Sequence, residues 1–275
     1  MVINILSNRS EWTFYFSKVF NLILQSTKKY FQVSFKPSML KFLVRGESVL
    51  EERLAQIGKM VDPESRLADI GTDHAYLPIA LVKEGKIYFA IASDVAAGPL
   101  NNAKQDIEQA GLENKIETRL GSGLETLKAE DRIDTVVIAG MGGKLMTNLL
   151  ETAYQEGKKY PTLILEANIG ESLVRKWLMD HQYEIVAEKI IEVAGHIYEI
   201  IKAEIKTNKH DLSEQKLAFG PFLLKEKNPV FIKKWTNQLR YYQNLKANLN
   251  KAKNKDEDKI NKINNLIKMI EEVLK

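Results

Sequence analysis

The chain has 275 residues, 44% hydrophobic and 28% charged, with 15 Gly, 7 Pro and no Cys; this is enough apolar material for a sizeable core and excludes collagen-like, wholly disordered and disulfide-stapled classes. Without cysteine, thiol nucleophiles, thiolate zinc sites and iron–sulfur clusters are excluded; the composition is compatible with a reducing cytosol, and a cytoplasmic location is expected. The formal net charge of +4 is uneven: residues 225–275 carry 13 Lys and Arg against 6 Asp and Glu, or +7, leaving 27 basic against 30 acidic residues, or −3, before them.

Residues 1–38 hold eight aromatics, among them Trp12, Phe14, Tyr15, Phe16 and Phe20, while Asn8, Arg9, Glu11, Lys18 and Asn21 interrupt any signal-peptide apolar region. Pro37 and Ser38 close this leader, and Met39 opens the regular patterning, so the leader reads as a mistaken upstream start or a flexible arm. No run of about twenty apolar residues occurs, and no transmembrane helix is expected.

A helix is expected from Glu47 to Val61, with Val49, Leu50, Leu54 and Ile57 on its apolar face. Strand-like runs follow at Arg66–Ile70, Ile87–Ala92, Lys115–Leu120, Asp134–Ala139, Thr162–Ala167, Tyr183–Val193 and His196–Glu204, with helical runs between the first six. This alternation predicts an α/β fold of the doubly wound, Rossmann-like kind with seven strands, the last two joined through Ala194-Gly195 as an antiparallel hairpin. The pattern changes after Lys206. Asn208 to Leu217 is polar, Gly220-Pro221 punctuates, and two long helices are expected. The first carries Trp235, Leu239, Tyr242, Leu245 and Leu249, and the second Ile260, Ile263, Ile267, Ile270 and Leu274 at 3-4 spacing. With polar Asn250–Asp258 between them, and seams of only about two heptads, an intramolecular helical hairpin and a monomer are expected rather than a coiled-coil dimer. Residues 39–207 therefore read as one domain and 208–275 as a basic helical one.

The chemistry concentrates where strands end. Asp69 closes the first strand, Gly71 follows, and a helix begins near Tyr76. Ligands of open α/β sheets sit beyond the carboxyl ends of the strands at the switch point, where Gly71 lets a ligand approach the backbone and Asp69 can face a cationic group. The loop lacks the three glycines of G-x-G-x-x-G, which argues against NAD or FAD. Asp94 ends the next strand, about where such folds place a carboxylate on ribose hydroxyls. Gly121-Ser122-Gly123 after the third strand is suited to flanking an adenine, although a plain Gly-rich turn is equally consistent. Ile138-Ala139-Gly140-Met141-Gly142-Gly143-Lys144 is not a Walker A loop, which needs Gly and Ser or Thr where Ile138 and Leu145 stand. Its glycines let backbone approach cofactor and substrate. Glu166 and Asn168 put polar side chains at the end of the fifth strand. His74, His181, His196 and His210 show no metal-ligand spacing and no G-x-S-x-G elbow exists, so metal and serine-hydrolase chemistry are not expected.

The blocks DIGTDHAYLP, AGP at Ala97–Pro99, RLGSGLE, IAGMGG and GPFLLKEKNPVFIKKW resemble, in this order, the bacterial tRNA adenine-22 N1-methyltransferases, from about Arg45 to the C-terminus. The resemblance implies a class I S-adenosylmethionine-dependent fold with a C-terminal coiled-coil-like domain, and methylation of N1 of adenosine 22 in tRNA. It implies cofactor contacts at Asp69, Gly71, His74, Asp94, Ser122, Gly123, Ala139, Gly140, Met141 and Gly142. Asp94 stands where the family more often has Glu, Ser122 where many members have Asp, and LEAN (165–168) where the family usually reads LQPN. Because methylated N1 makes adenine cationic, a carboxylate near the ring assists transfer, and Asp73 and Glu166 are the expected candidates. Asn168 completes the expected set, with Tyr76 stacking on an adenine that is unpaired or flipped out. Phosphate contacts are expected from Lys225, Lys227, Lys233, Lys234 and Arg240, with Lys246 and Lys251 beside them. The alternatives are a methyltransferase of the same fold acting on another substrate, and a catalytically silent RNA-binding protein.

Overall fold

The computed structural model describes residues 50–206, 211–251 and 256–275. The 1–38 leader, the expected helix start at Glu47, His210 and the middle of the 250–258 linker lie outside the described residues. The first helix among the described residues, α1 (Glu52–Met60), begins later than expected, Leu50 and Glu51 being non-helical.

Five parallel strands form the sheet's centre and one edge: β1 (Arg66–Ile70), β2 (Phe89–Asp94), β3 (Ile116–Leu120), β4 (Thr135–Gly142) and β5 (Thr162–Ile169). The other edge is the predicted antiparallel hairpin of β6 (Tyr183–Val193) and β7 (His196–Ile205), giving the order β3-β2-β1-β4-β5-β7-β6. The crossover helices are α2 (Tyr76–Lys83), α3 (Ala97–Ala110), α4 (Gly143–Gln155) and α5 (Glu171–Asp180). Neighbouring residues of one strand bury on opposite faces, as a sheet covered on both sides requires. Ala68, Val136 and Leu163 pack with Met146 and Leu150 of α4 and Leu178 of α5, whereas Leu67, Val137 and Ile164 pack with Ile57, Leu77 and Ile107 of α1, α2 and α3. The chain winds outward from β1 through β2 to β3 and then returns to β4, so the β1/β4 boundary is the switch point, with a crevice at its C-terminal edge.

Beyond β7 come α6 (Glu214–Phe219), α7 (Leu223–Glu226), α8 (Pro229–Lys251) and α9 (Glu257–Leu274). The short α6 was not expected in the polar stretch; the Ser213 hydroxyl caps it by accepting the Lys216 N–H at 3.3 Å. The two long helices share an apolar core with Phe219, Leu223, Phe231 and Trp235, which also covers Ile190 of β6. The seam buries Ile260, Ile263 and Ile270 as predicted, with Val273 rather than Leu274 at its end.

Candidate active site

β1 carries Asp69 to the crevice and stops at Ile70. Gly71 then takes a left-handed turn (φ +81°), and a Cβ there would overlap Met141 across the switch point. The N–H groups of Gly71 and Thr72 both donate to the Ser93 carbonyl, at 2.8 and 3.0 Å, tying the loop to β2. The Thr72 hydroxyl accepts the Ala75 N–H and so directs the chain into α2. Burial pushes the Asp69 carboxyl up to about 6, against the opposing effects of its hydrogen bond with Thr72 and the nearby Arg53 charge; Asp94 adds to the rise. His74 Nδ1 lies 2.7 Å from Asp106 Oδ2, and its ring stacks on Tyr76 at 4.8 Å and 6°. Asp69, Gly71, Thr72, His74 and Tyr76 line a cavity of about 210 Å³ with Asp73, Ala139 and, from α1, Arg53. The Asp73 side chain is 71% exposed.

The glycine-rich segment is part of β4 and not a loop after it. Pairing with β5 continues through Met141 and Gly142, but Gly140 is bulged out of the ladder at φ +79°. Its two polar groups are taken by β5 side chains. The Gly140 N–H donates to Glu166 Oε2 at 2.9 Å, and Asn168 Nδ2 donates to the Gly140 carbonyl at 2.7 Å. Glu166 Oε2 also accepts from Arg53 Nη1 at 2.8 Å. The expectation for Glu166 is therefore corrected: its side chain is wholly buried, so it cannot face a target ring, and it holds Gly140 in place together with Asn168, which remains exposed. Burial raises the Glu166 carboxyl, with Arg53 and the Gly140 N–H opposing.

Asp94 ends β2, and Ser122 and Gly123 follow β3, on the same edge, but none of them lines this cavity. Asp94 Oδ1 accepts the Ala96 N–H at 2.7 Å, shaping the turn into α3. The Ser122 N–H donates to Glu125 Oε1, and Gly123 takes a left-handed φ of +51° with its would-be Cβ 2.7 Å from a Leu149 methyl of α4. Sequence reasoning missed Arg53, whose partner Glu166 is 113 residues away, and no local signal marks it.

The basic face also needs correcting. Lys234 Nζ is enclosed by Glu171 and by Glu199 Oε1, the latter at 2.8 Å. Although burial alone pulls its ammonium down, these two carboxylates hold it above the ordinary range. It is not available to a phosphate. Lys233 is half exposed but paired with Glu192 at 2.6 Å. Lys225, Lys227 and Arg240 are exposed and have no ion-pair partner among the described residues.

The profile of a family described as tRNA (adenine(22)-N(1))-methyltransferase matches residues 67–272, from β1 through nearly all of α9. The chain belongs to this family. A Bacillus subtilis (strain 168) protein named tRNA (adenine(22)-N(1))-methyltransferase is 38% identical over 78% of this chain and 91% of its own. Among solved structures, the Bacillus subtilis m1A22 tRNA methyltransferase TrmK superposes with a TM-score of 0.77 at 34% identity, over 83% of this chain and 100% of that one. Streptococcus pneumoniae Sp1610 in complex with S-adenosyl-L-methionine gives 0.75 at 37% identity, over 82% and 100%. The family match spans every crevice residue except Arg53, Glu51 and Leu54 of the α1 region.

Proposed function

We propose that this protein transfers a methyl group from S-adenosylmethionine to N1 of adenosine 22 in tRNA, with Asp69 and the Gly71 turn as the seat of the cofactor. The observation that carries the site assignment is the Asp69 carboxyl, poised near pH 6 at the end of β1 beside bare glycine backbone. Such a carboxyl is costly to ionise alone and is relieved by a cationic ligand. Asp73 and Asp106 add negative charge around the same crevice, which suits a sulfonium and not a polyanionic dinucleotide. The crevice residues thus suit S-adenosylmethionine, and Asp94, outside the crevice lining at the end of the neighbouring strand, is the carboxylate we assign to its ribose. When bound, this cofactor supplies an electrophilic methyl group.

Adenine N1 carries a free lone pair, so this chain's task is alignment and exclusion of water more than proton removal. The Gly140 bulge, fixed by Glu166, Asn168 and Arg53, presents rigid backbone at the switch point. Tyr76, backed by the stacked His74, offers an aromatic face to an unstacked adenine. Asp73 is the exposed carboxylate left to stabilise positive charge as it develops on the ring. Lys225, Lys227 and Arg240 supply the phosphate contacts. The division at 207/208, a monomeric state and a cytoplasmic location complete the proposal; no described helix is long and apolar enough to cross a membrane.

Labelled S-adenosylmethionine offered to unmodified tRNA tests this directly. Transfer is expected to tRNA with adenosine at position 22 and not to the same tRNA with guanosine there. Equal transfer to both, or to neither, overturns the proposal.

A further inference from the structure

A second cavity, of about 580 Å³, opens where the β5 end, the β6–β7 turn and α8 meet. It shares no lining residue with the 210 Å³ crevice. Asn168 lines the larger cavity while donating to the carbonyl of Gly140, the chain neighbour of Ala139 in the crevice wall. We propose that this cavity holds one unpaired nucleobase of the tRNA flanking the methylated position, its edge read by the amides of Asn237 and Gln238 and its face stacked on His196 or Tyr242. The inference rests on the tRNA reading above and adds a site to it.

Three observations carry it. The volume lies in the range of small-molecule pockets, roughly 300–1,000 Å³, and is large enough to take a nucleobase. The charges are spent: Lys234 is enclosed by Glu171 and Glu199, so the wall offers no cation to a phosphate and favours a neutral base. What remains is the equipment that single-stranded RNA recognition uses, namely amide side chains able to donate and accept at a base edge, with aromatic rings to stack upon. The cavity also depends on α8 lying over the sheet edge, which ties the helical segment to substrate recognition near the chemistry. Asn237 is exposed and Gln238 half-buried, as groups that meet a ligand should be.

Steady-state methylation by full-length Gln238→Ala and Asn237→Ala tests the proposal. Ser172→Trp serves as a second variant, placing a bulky ring at the cavity mouth from an exposed position. The KM for tRNA is expected to rise about tenfold, with kcat, S-adenosylmethionine affinity and melting temperature unchanged. Removing the base on one side of adenosine 22, as an abasic substrate, should raise KM for the parent and add nothing further in Gln238→Ala. An unchanged KM in all three variants, a fall in kcat alone, or additive effects of abasic substrate and variant overturns the inference. If the parent methylates no tRNA, the functional reading fails instead, and the two failures are distinguishable.

Discussion

Asp69 shows how a single side chain can cost stability and serve binding. Its folded carboxyl sits near 6, above the ordinary 3.8, so the folded state holds its proton more tightly than the unfolded chain does. That penalises folding as pH rises from about 4 to 6, and the penalty persists above 6. Asp69→Asn should therefore stabilise the protein by up to about 3 kcal/mol at pH 8, with the gain vanishing towards pH 4, since one pKa unit is worth about 1.4 kcal/mol and the shift spans roughly two. The same change should weaken S-adenosylmethionine binding roughly 10- to 100-fold. Parental affinity should fall as pH drops from 7 to 5, and the variant's should stay flat; calorimetric titration across that range checks both. Glu166 is a different case. One oxygen, Oε2, takes both the Arg53 and Gly140 bonds, while Oε1 is buried without a partner. A glutamine carbonyl can accept the same two bonds, so a neutral acceptor of the same shape fits this position. Glu166→Gln should keep methylation within about threefold of the parent, whereas Glu166→Ala orphans the Gly140 N–H and the guanidinium and should lose tenfold or more. Equal losses in both would show that the charge, not the acceptor, matters.

Among the elements, β4 and α4 determine the site's precision. Gly143 opens α4 against the β5–α5 turn, and a Cβ there would overlap the Gly170 carbonyl, so backbone must move. Gly85 also has a positive φ (+69°), but nothing lies within 4 Å of its would-be Cβ. Gly85→Ala should cost only local strain, about 1 kcal/mol, and leave kcat unchanged. Gly143→Ala should lower both the melting temperature and kcat/KM, the latter tenfold or more; if the two variants behave alike, close packing at 143 does not hold the site. The strands themselves were legible because apolar runs bounded by turn residues mark a doubly wound sheet: β1 and β6 match the expectation at both ends. β4 and β5 run further because Gly140 and its neighbours, read as loop punctuation, form a bulge whose partners are side chains 26 and 28 positions away. β2 starts two residues late because the Ile87 and Lys86 N–H groups are used by a turn onto Leu81. That Asp69, Gly71 and His74 sit together at the crevice was legible from one contiguous loop. The Arg53–Glu166–Gly140 clamp was not, since it exists only once α1, β4 and β5 have been brought together.

Over the whole molecule, the helical segment is fastened to the sheet by charge as well as by its apolar core. Arg175 of α5 donates to Glu188 and Glu199, at 2.8 and 2.6 Å, and Glu199 also accepts from Lys234 of α8; all but Glu171 and Lys234 are fully buried. Removing one partner from such a network strands the others without water, at a cost of about 3–5 kcal/mol. Exposed cations act differently: each phosphate neutralised releases counterions and adds roughly 0.7–0.9 to the slope of log affinity against log salt. The two lysines of the Lys233-Lys234 pair, alike in sequence, therefore part company in the fold, and net charge alone overstates the RNA-facing surface. Replacing Lys225, Lys227 and Arg240 together by Ala should lower the slope for tRNA binding by about 2 while leaving the melting temperature in place. Lys234→Met should do the reverse, lowering the melting temperature clearly while keeping the slope. Measuring tRNA binding from low to moderate salt alongside thermal unfolding separates the two. A loss of slope in Lys234→Met equal to that of the triple variant would return Lys234 to the RNA surface and mean that its carboxylate partners release it when tRNA binds.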